Sequence, residues 1–242
     1  MKTIGLLGGM SWESTSVYYR MINELVKEKL GGLHSAKCLI CSVDFAEIEE
    51  CQRAGEWEKA ADILAREAQK LQQAGAECLV ICTNTMHKVA DHIQEAISIP
   101  LLHIGDTTAE KIRARGVNRV GLLGTKYTLE QDFYKERLRR YGLEVIIPRP
   151  DDIETVNRII YEELCLGKVL PESKREYLRV IDDMVERGAE GIILGCTEIT
   201  LLIGQEDTPL PVFDTTFLHA ERAVEFALSG VDAASQKGMK IF

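Results

Sequence analysis

The chain has 242 residues, 45% of them hydrophobic and 28% charged, a composition that supports apolar cores at a length suited to two domains of roughly 100 residues each. Its formal net charge of -9 and pI near 5.2 argue against a nucleic-acid partner, whose phosphates such a surface repels. No run approaches the roughly 20 apolar residues of a membrane span, and Met1-Lys-Thr-Ile-Gly-Leu-Leu-Gly-Gly is too short an apolar run for a signal peptide, so a cytoplasmic protein is expected.

In chain order, Thr3 to Leu7 is an apolar run closed by Gly8 and Gly9, a strand ending in a tight turn. Val17, Tyr18, Met21, Ile22, Leu25 and Val26 then recur at helical spacing. Lys37 to Val43 predicts a second strand, and Trp57, Ala61, Leu64, Ala68 and Leu71 predict a long helix that stops at Gly75. Leu79 to Ile81 is a third strand, followed by a helix through Val89, Ile93 and Ile97 and a fourth strand introduced by Pro100. The order then recurs: strand Val120 to Leu123, helix Phe133 to Tyr141, strand Val145 to Ile147, helices at Thr155 to Leu164 and Tyr177 to Val185, and strand Ile192 to Leu194. Such alternation implies an α/β fold with two parallel sheets, each covered by helices.

The recurrence is written in the residues themselves. Gly188-Ala-Glu-Gly-Ile-Ile-Leu-Gly-Cys-Thr-Glu lies without gaps on Gly75-Ala-Glu-Cys-Leu-Val-Ile-Cys-Thr-Asn-Thr, so that Cys196 falls opposite Thr83 and Cys82 opposite Gly195. Thr3-Ile-Gly-Leu-Leu-Gly-Gly likewise matches Arg119-Val-Gly-Leu-Leu-Gly-Thr, and Ile99-Pro-Leu-Leu-His-Ile-Gly-Asp-Thr-Thr resembles Leu210-Pro-Val-Phe-Asp-Thr-Thr. The chain therefore reads as one half written twice. Asp106-Thr-Thr and Asp214-Thr-Thr are expected to leave a strand and enter a helix as crossings between domains. One α/β domain is expected to comprise residues 1–101 with 214–242 and the other residues 102–213, with the site in the cleft between them.

Ligands of open parallel sheets bind beyond the carboxyl ends of the strands. Three turns there are unusual: Gly8-Gly-Met-Ser-Trp, Cys82-Thr-Asn-Thr-Met-His and Gly195-Cys-Thr-Glu. The first lacks the spacing of a phosphate loop. The other two are expected to open helices, whose N-termini suit a carboxylate and favour the thiolate of Cys196. Seven cysteines without repeated spacing fit a reducing compartment. Cys38-Leu-Ile-Cys41 lacks the second pair that a structural zinc site needs, so no metal is expected.

Ile81-Cys-Thr-Asn-Thr-Met-His, Leu194-Gly-Cys-Thr-Glu and Gly5-Leu-Leu-Gly-Gly-Met-Ser-Trp together resemble the cofactor-independent aspartate/glutamate racemases, over essentially the whole chain. The resemblance implies a racemase without PLP or any other cofactor, a small amino-acid substrate, a homodimer, and a cysteine from each half on opposite faces of Cα. In that pattern Cys directly precedes Asn-Thr, whereas here Thr83 holds the place and Cys82 comes one residue early. The expectation is an asymmetric pair: Cys196 as the main base and Thr83 delivering a proton on the other face, so that one enantiomer leads in initial rate. The alternative is a bulged turn that presents Cys82.

By the same resemblance, Asn84, Thr85, Thr125 and Thr197 should bind the substrate's α-carboxylate. Met10, Ser11, Gln52 and Arg53 should lie near its side chain, with Arg53 or Lys168 supplying charge. Glu198 and His87 either tune the thiols or cap helices. Two rival readings are a related malonate decarboxylase or diacid isomerase, and a non-catalytic amino-acid binding protein.

Overall fold

The structure, a computed structural model, describes residues 1–230. Their elements are, in chain order, β1 (Ile4–Gly8), α1 (Trp12–Leu30), β2 (Cys38–Ser42), α2 (Phe45–Ala54), α3 (Trp57–Gln73), β3 (Cys78–Ile81), α4 (Ala90–Glu95), α5 (Ile104–Ala114), β4 (Arg119–Leu123), α6 (Lys126–Glu130), α7 (Asp132–Arg140), β5 (Glu144–Ile146), α8 (Pro150–Glu162), α9 (Pro171–Glu186), β6 (Gly191–Leu194), β7 (Val212–Asp214) and α10 (Thr215–Leu228). They form two compact units. The first contains Met1–Cys82, Val89–Leu102 and residues 220–230, and the second contains Thr83–Lys88 and His103–His219. Compared with the expected division, the segment 83–88 belongs with the second unit and the return crossing falls at 219/220. Residues 231–242 of the expected return segment lie outside the described residues.

The first unit is a parallel sheet in the order β2-β1-β3. Ser11 caps α1 by accepting from the Ser14 amide at 3.3 Å, and the helix buries Tyr18, Ile22, Leu25 and Val26. These side chains pack with Ile4 and Leu6 of β1, Val80 of β3, and Ala220, Ala223, Val224 and Ala227 of α10. At the end of β1, Gly9 has φ 90°, and a Cβ there would stand 2.2 Å from the Val43 carbonyl oxygen, so the turn requires glycine.

The second unit is a parallel sheet in the order β5-β4-β6-β7. Successive residues of β6 face opposite ways, as a strand requires. Ile192 and Leu194 join Val156, Ile160, Tyr177, Ile181 and Met184 under α8 and α9, while Ile193 joins Ile112, Tyr134, Leu138 and Phe213 on the other face.

The duplication seen in the sequence recurs bond for bond. The Cys82 amide donates to the Leu7 carbonyl at 2.9 Å, and the Gly195 amide to the Leu123 carbonyl at 2.7 Å. Leu79 N–H donates to Pro100 O and Ile192 N–H to Pro211 O, both at 2.9 Å. The repeated Gly-Ala-Glu also acquires a cause. Glu77 accepts from the Thr3 amide at 2.7 Å, and Glu190 accepts from the Asn118 and Arg119 amides at 2.8 and 3.2 Å, so each carboxylate satisfies the first donors of the neighbouring strand.

Four sequence expectations are corrected. The fourth strand after Pro100 is a single bridge between Leu79 and Leu101, because His103 already caps α5 by accepting from the Gly105 amide at 3.0 Å. The helix through Val89, Ile93 and Ile97 is a 3-10 turn, Thr85–Val89, followed by the six-residue α4. It closes at Ala96, whose amide bonds back to the Ile93 carbonyl at 3.1 Å, four residues before Pro100. Asp106 does not start α5. It is the helix's third residue and holds Arg137 in a two-pronged ion pair at 2.6 and 2.7 Å, so His103, not Asp106, is the counterpart of Asp214, which caps α10. Finally, α2 was not foreseen, although Asp44 caps it and Gly55 ends it at φ 73°.

Gly195 is needed for a steric reason, since a Cβ there would lie 2.8 Å from the Leu123 carbonyl oxygen. Gly195→Ala is expected to destabilise the protein by about 1–3 kcal/mol, which a lower midpoint in chemical denaturation would reveal.

Candidate active site

The last ladder bond of β6 is made by Gly195, and the next residue, Cys196, is the first to leave the sheet. Its thiol donates to Glu198 Oε2 at 2.8 Å, and the Thr197 hydroxyl donates to the same oxygen at 2.7 Å. Cys196 is partly exposed and packs against the apolar cluster of β6, α8 and α9. Burial, followed by the Glu198 carboxylate, raises the Cys196 pKa well above that of an ordinary thiol. This reverses the electrostatics expected from the sequence. The turn opens only the 3-10 stretch Thr197–Leu201, which supplies no long helix dipole to favour the thiolate. The thiol of Cys196 is thus a donor held by the Glu198 carboxylate.

The equivalent tip follows β3. Cys82 is 0% exposed, lies in the apolar core of the first unit and has its pKa raised by burial. Its carbonyl accepts from the Ser14 hydroxyl at 2.8 Å. Thr83, the residue opposite Cys196 in the repeat, is partly exposed. Its carbonyl is held by Nδ1 of His87 at 2.8 Å, and the other ring nitrogen of His87 accepts from the Ile104 amide at 3.2 Å. These two partners fix His87 as the neutral Nδ1–H tautomer. Burial and the nearby imidazoles of His103 and His219, 4.7 and 5.4 Å away by ring centroid, keep its pKa well below the usual histidine value.

Asn84 is buried and donates through Nδ2 to Thr215 Oγ1 at 3.2 Å, while its Oδ1 is buried without a hydrogen-bond partner. Thr85 is partly exposed, and Thr125 is buried with its hydroxyl 3.3 Å from that of Thr128. In the first unit, Met10 is buried, Ser11 caps α1 and Gln52 is partly buried on α2. Arg53 is exposed, 4.0 Å from Glu49, and Lys168 is exposed in the second unit.

The structure thus joins Cys196, Thr197 and Glu198 in one hydrogen-bonded group, and ties the segment of Thr83 and Asn84 through His87 and Thr215. Thr215 was missed as a site residue, although Asp214-Thr-Thr stood out as a motif. Among the described residues no three His, Cys, Asp or Glu side chains converge as a metal would require, and no helix is long and apolar enough to cross a membrane.

The two parallel-sheet α/β units match the fold of solved amino-acid racemase structures. The family model described as Asp/Glu/Hydantoin racemase matches residues 7–223, and the chain belongs to that family. A candidate Asp/Glu racemase structure from Yersinia pestis is 57% identical, covering 94% of this chain and 100% of that one with a TM-score of 0.91. An aspartate racemase homologue from Pyrococcus horikoshii OT3 is 39% identical over 94% of this chain and 99% of that one, with a TM-score of 0.86. The broad specificity amino-acid racemase RacX of Bacillus subtilis is 23% identical over 231 residues, 93% of this chain and 98% of its own length.

Because Glu198 raises the Cys196 pKa, its removal must lower that value. Glu198→Gln is expected to move the pH midpoint of Cys196 alkylation by iodoacetamide downward and to raise the rate at pH 8 severalfold. Peptide mapping by mass spectrometry, which separates Cys196 from the other thiols, checks this.

Proposed function

We propose that this chain is a PLP-independent isomerase that interconverts the enantiomers of aspartate, glutamate or both, with Cys196 and Thr83 working on opposite faces of Cα. The observation that carries the reading is the unequal pair of tips. At the matching positions of the repeat stand a thiol bonded to a carboxylate and a partly exposed threonine, while the neighbouring Cys82 is sealed in the core.

In the proposed sequence of events, Glu198 takes the thiol proton and later releases it to solvent, and the Cys196 thiolate removes the α-proton and becomes the thiol again. The Thr83 hydroxyl passes a proton from solvent to the far face of the carbanion. The opposite enantiomer retraces the same steps in reverse, its α-proton leaving through Thr83 to solvent while the Cys196 thiol protonates the carbanion. A threonine hydroxyl is too weakly acidic to serve as a base near neutral pH, so the Thr83 face acts as a relay. The carbanion needs fixed donors. Thr85, Thr125 and Thr197 are proposed to hold the α-carboxylate, and the unpartnered Oδ1 of Asn84 suits the substrate's ammonium as an acceptor. Met10, Ser11 and Gln52 are proposed to line the substrate side chain, and Arg53 and Lys168 to meet its carboxylate.

Support for an acidic substrate comes from the 57% and 39% identical relatives, whose descriptions name Asp/Glu and aspartate racemases; RacX, described as broad in specificity, supports a wider range of amino acids. Enantiomers have equal free energies, so kcat/KM must be equal in the two directions. An asymmetric pair therefore reveals itself in kcat and KM taken separately.

The wild type in D2O is expected to place deuterium at Cα of aspartate or glutamate; absence of exchange with every amino acid tried would sink the proposal. Cys196→Ser should lower racemisation by about 10²–10⁴-fold and Thr83→Ala by a similar order. Cys82→Ala should stay within about threefold of wild type, less than 1 kcal/mol in barrier. Complete loss on Cys82→Ala would transfer the role from Thr83 to Cys82.

A further inference from the structure

Thr215 is the first residue of α10, is 0% exposed, and makes two hydrogen bonds of opposite sense. Its hydroxyl donates to the Leu194 carbonyl at 2.9 Å and accepts from Asn84 Nδ2 at 3.2 Å. Leu194 ends β6, two residues before Cys196, and Asn84 follows Thr83. One hydroxyl therefore bridges the backbone behind the thiol and the side chain beside the threonine.

The sense of the bridge is forced. A carbonyl only accepts, so the single Thr215 proton must go to Leu194 O, leaving the hydroxyl as an acceptor. Asn84 must then present its NH2 to Thr215, which turns its Oδ1 away, and that oxygen is the one left buried without a partner. An unpaired buried acceptor costs free energy until a donor arrives. The orientation of Asn84 is thus imposed from behind, by a residue that need not touch substrate.

We infer that Thr215 is a positioning residue for the reaction: its hydroxyl holds the two tips in register and turns the Asn84 acceptor away from itself. No residue at 215 lacking a hydroxyl can both donate to Leu194 O and accept from Asn84 with this geometry, whereas serine can. The backbone half of the inference stands independently of the chemistry, and the kinetic half rests on the racemase reading above.

Both halves are tested on the full chain with Thr215→Val and Thr215→Ser. In hydrogen exchange read by mass spectrometry, Thr215→Val is expected to speed amide exchange about tenfold, the factor for one buried hydrogen bond, in peptides covering both 83–88 and 194–198. Peptides of β1 and β2 should be unchanged, and Thr215→Ser should match wild type throughout. In racemisation, kcat of Thr215→Val should fall at least about tenfold with its far-UV circular dichroism intact, and Thr215→Ser should restore it.

If exchange quickens at one tip only or at neither, or if serine behaves like valine, the inference is overturned. If both tips loosen as expected but the wild type racemises nothing, the bridge stands and the proposed activity fails. Should valine prevent folding, Thr215→Cys, a side chain of similar size and weak hydrogen bonding, takes its place with the same two readouts and the same criteria.

Discussion

The last ladder bond of each central strand pair fixes where the chain leaves the sheet at Thr83 and Cys196. A parallel strand is held by its neighbour up to one final amide, and the residue after it is the first whose side chain is not dictated by the sheet. In the first unit that amide is Cys82, bonded to Leu7, and in the second it is Gly195, bonded to Leu123. Thr83 and Cys196 follow. Because the register of β1 with β3 matches that of β4 with β6, the two positions are equivalent without being identical in chemistry.

The tips are held by hydrogen bonds to main chain, carboxylate and hydroxyl groups. Glu198 accepts from the Cys196 thiol at 2.8 Å, and burial together with this carboxylate raises the thiol pKa. His87 holds the Thr83 carbonyl from an apolar setting that keeps the imidazole neutral, which makes it a fixed donor and acceptor and not a proton carrier near neutral pH. The same segment that supplies Thr83 is counted with the second unit, so its hydrogen bonds to Thr215 and Ile104 are internal to that unit.

Much of this was legible beforehand because the duplication constrains it. The alignment that set Cys196 opposite Thr83 reappears in the ladder bonds, and the long apolar faces of α1 and α3 follow the spacing of Tyr18, Ile22, Leu64 and Leu71. The less legible features depend on competition between local signals. Asp106-Thr-Thr looks like Asp214-Thr-Thr, yet Arg137, distant in sequence, claims Asp106 for an ion pair. The turns after β3 and β6 carry good helix-opening residues, yet both coil into 3-10 stretches of five residues. Without a full helix the dipole argument for Cys196 fails, and the sign of its pKa shift is set by burial and by a neighbour two residues on. Thr215 escaped notice because a threonine at a helix start has many ordinary uses, and only three-dimensional structure identifies its two partners.

The crowding at Gly195 makes the two halves unequal in what they can become. A side chain at that point would run into the Leu123 carbonyl, whereas the matching position in the first half already houses a full cysteine in its apolar interior. A side chain one step before the tip is therefore accommodated in the first half, where Cys82 fills the apolar interior, and meets main chain in the second.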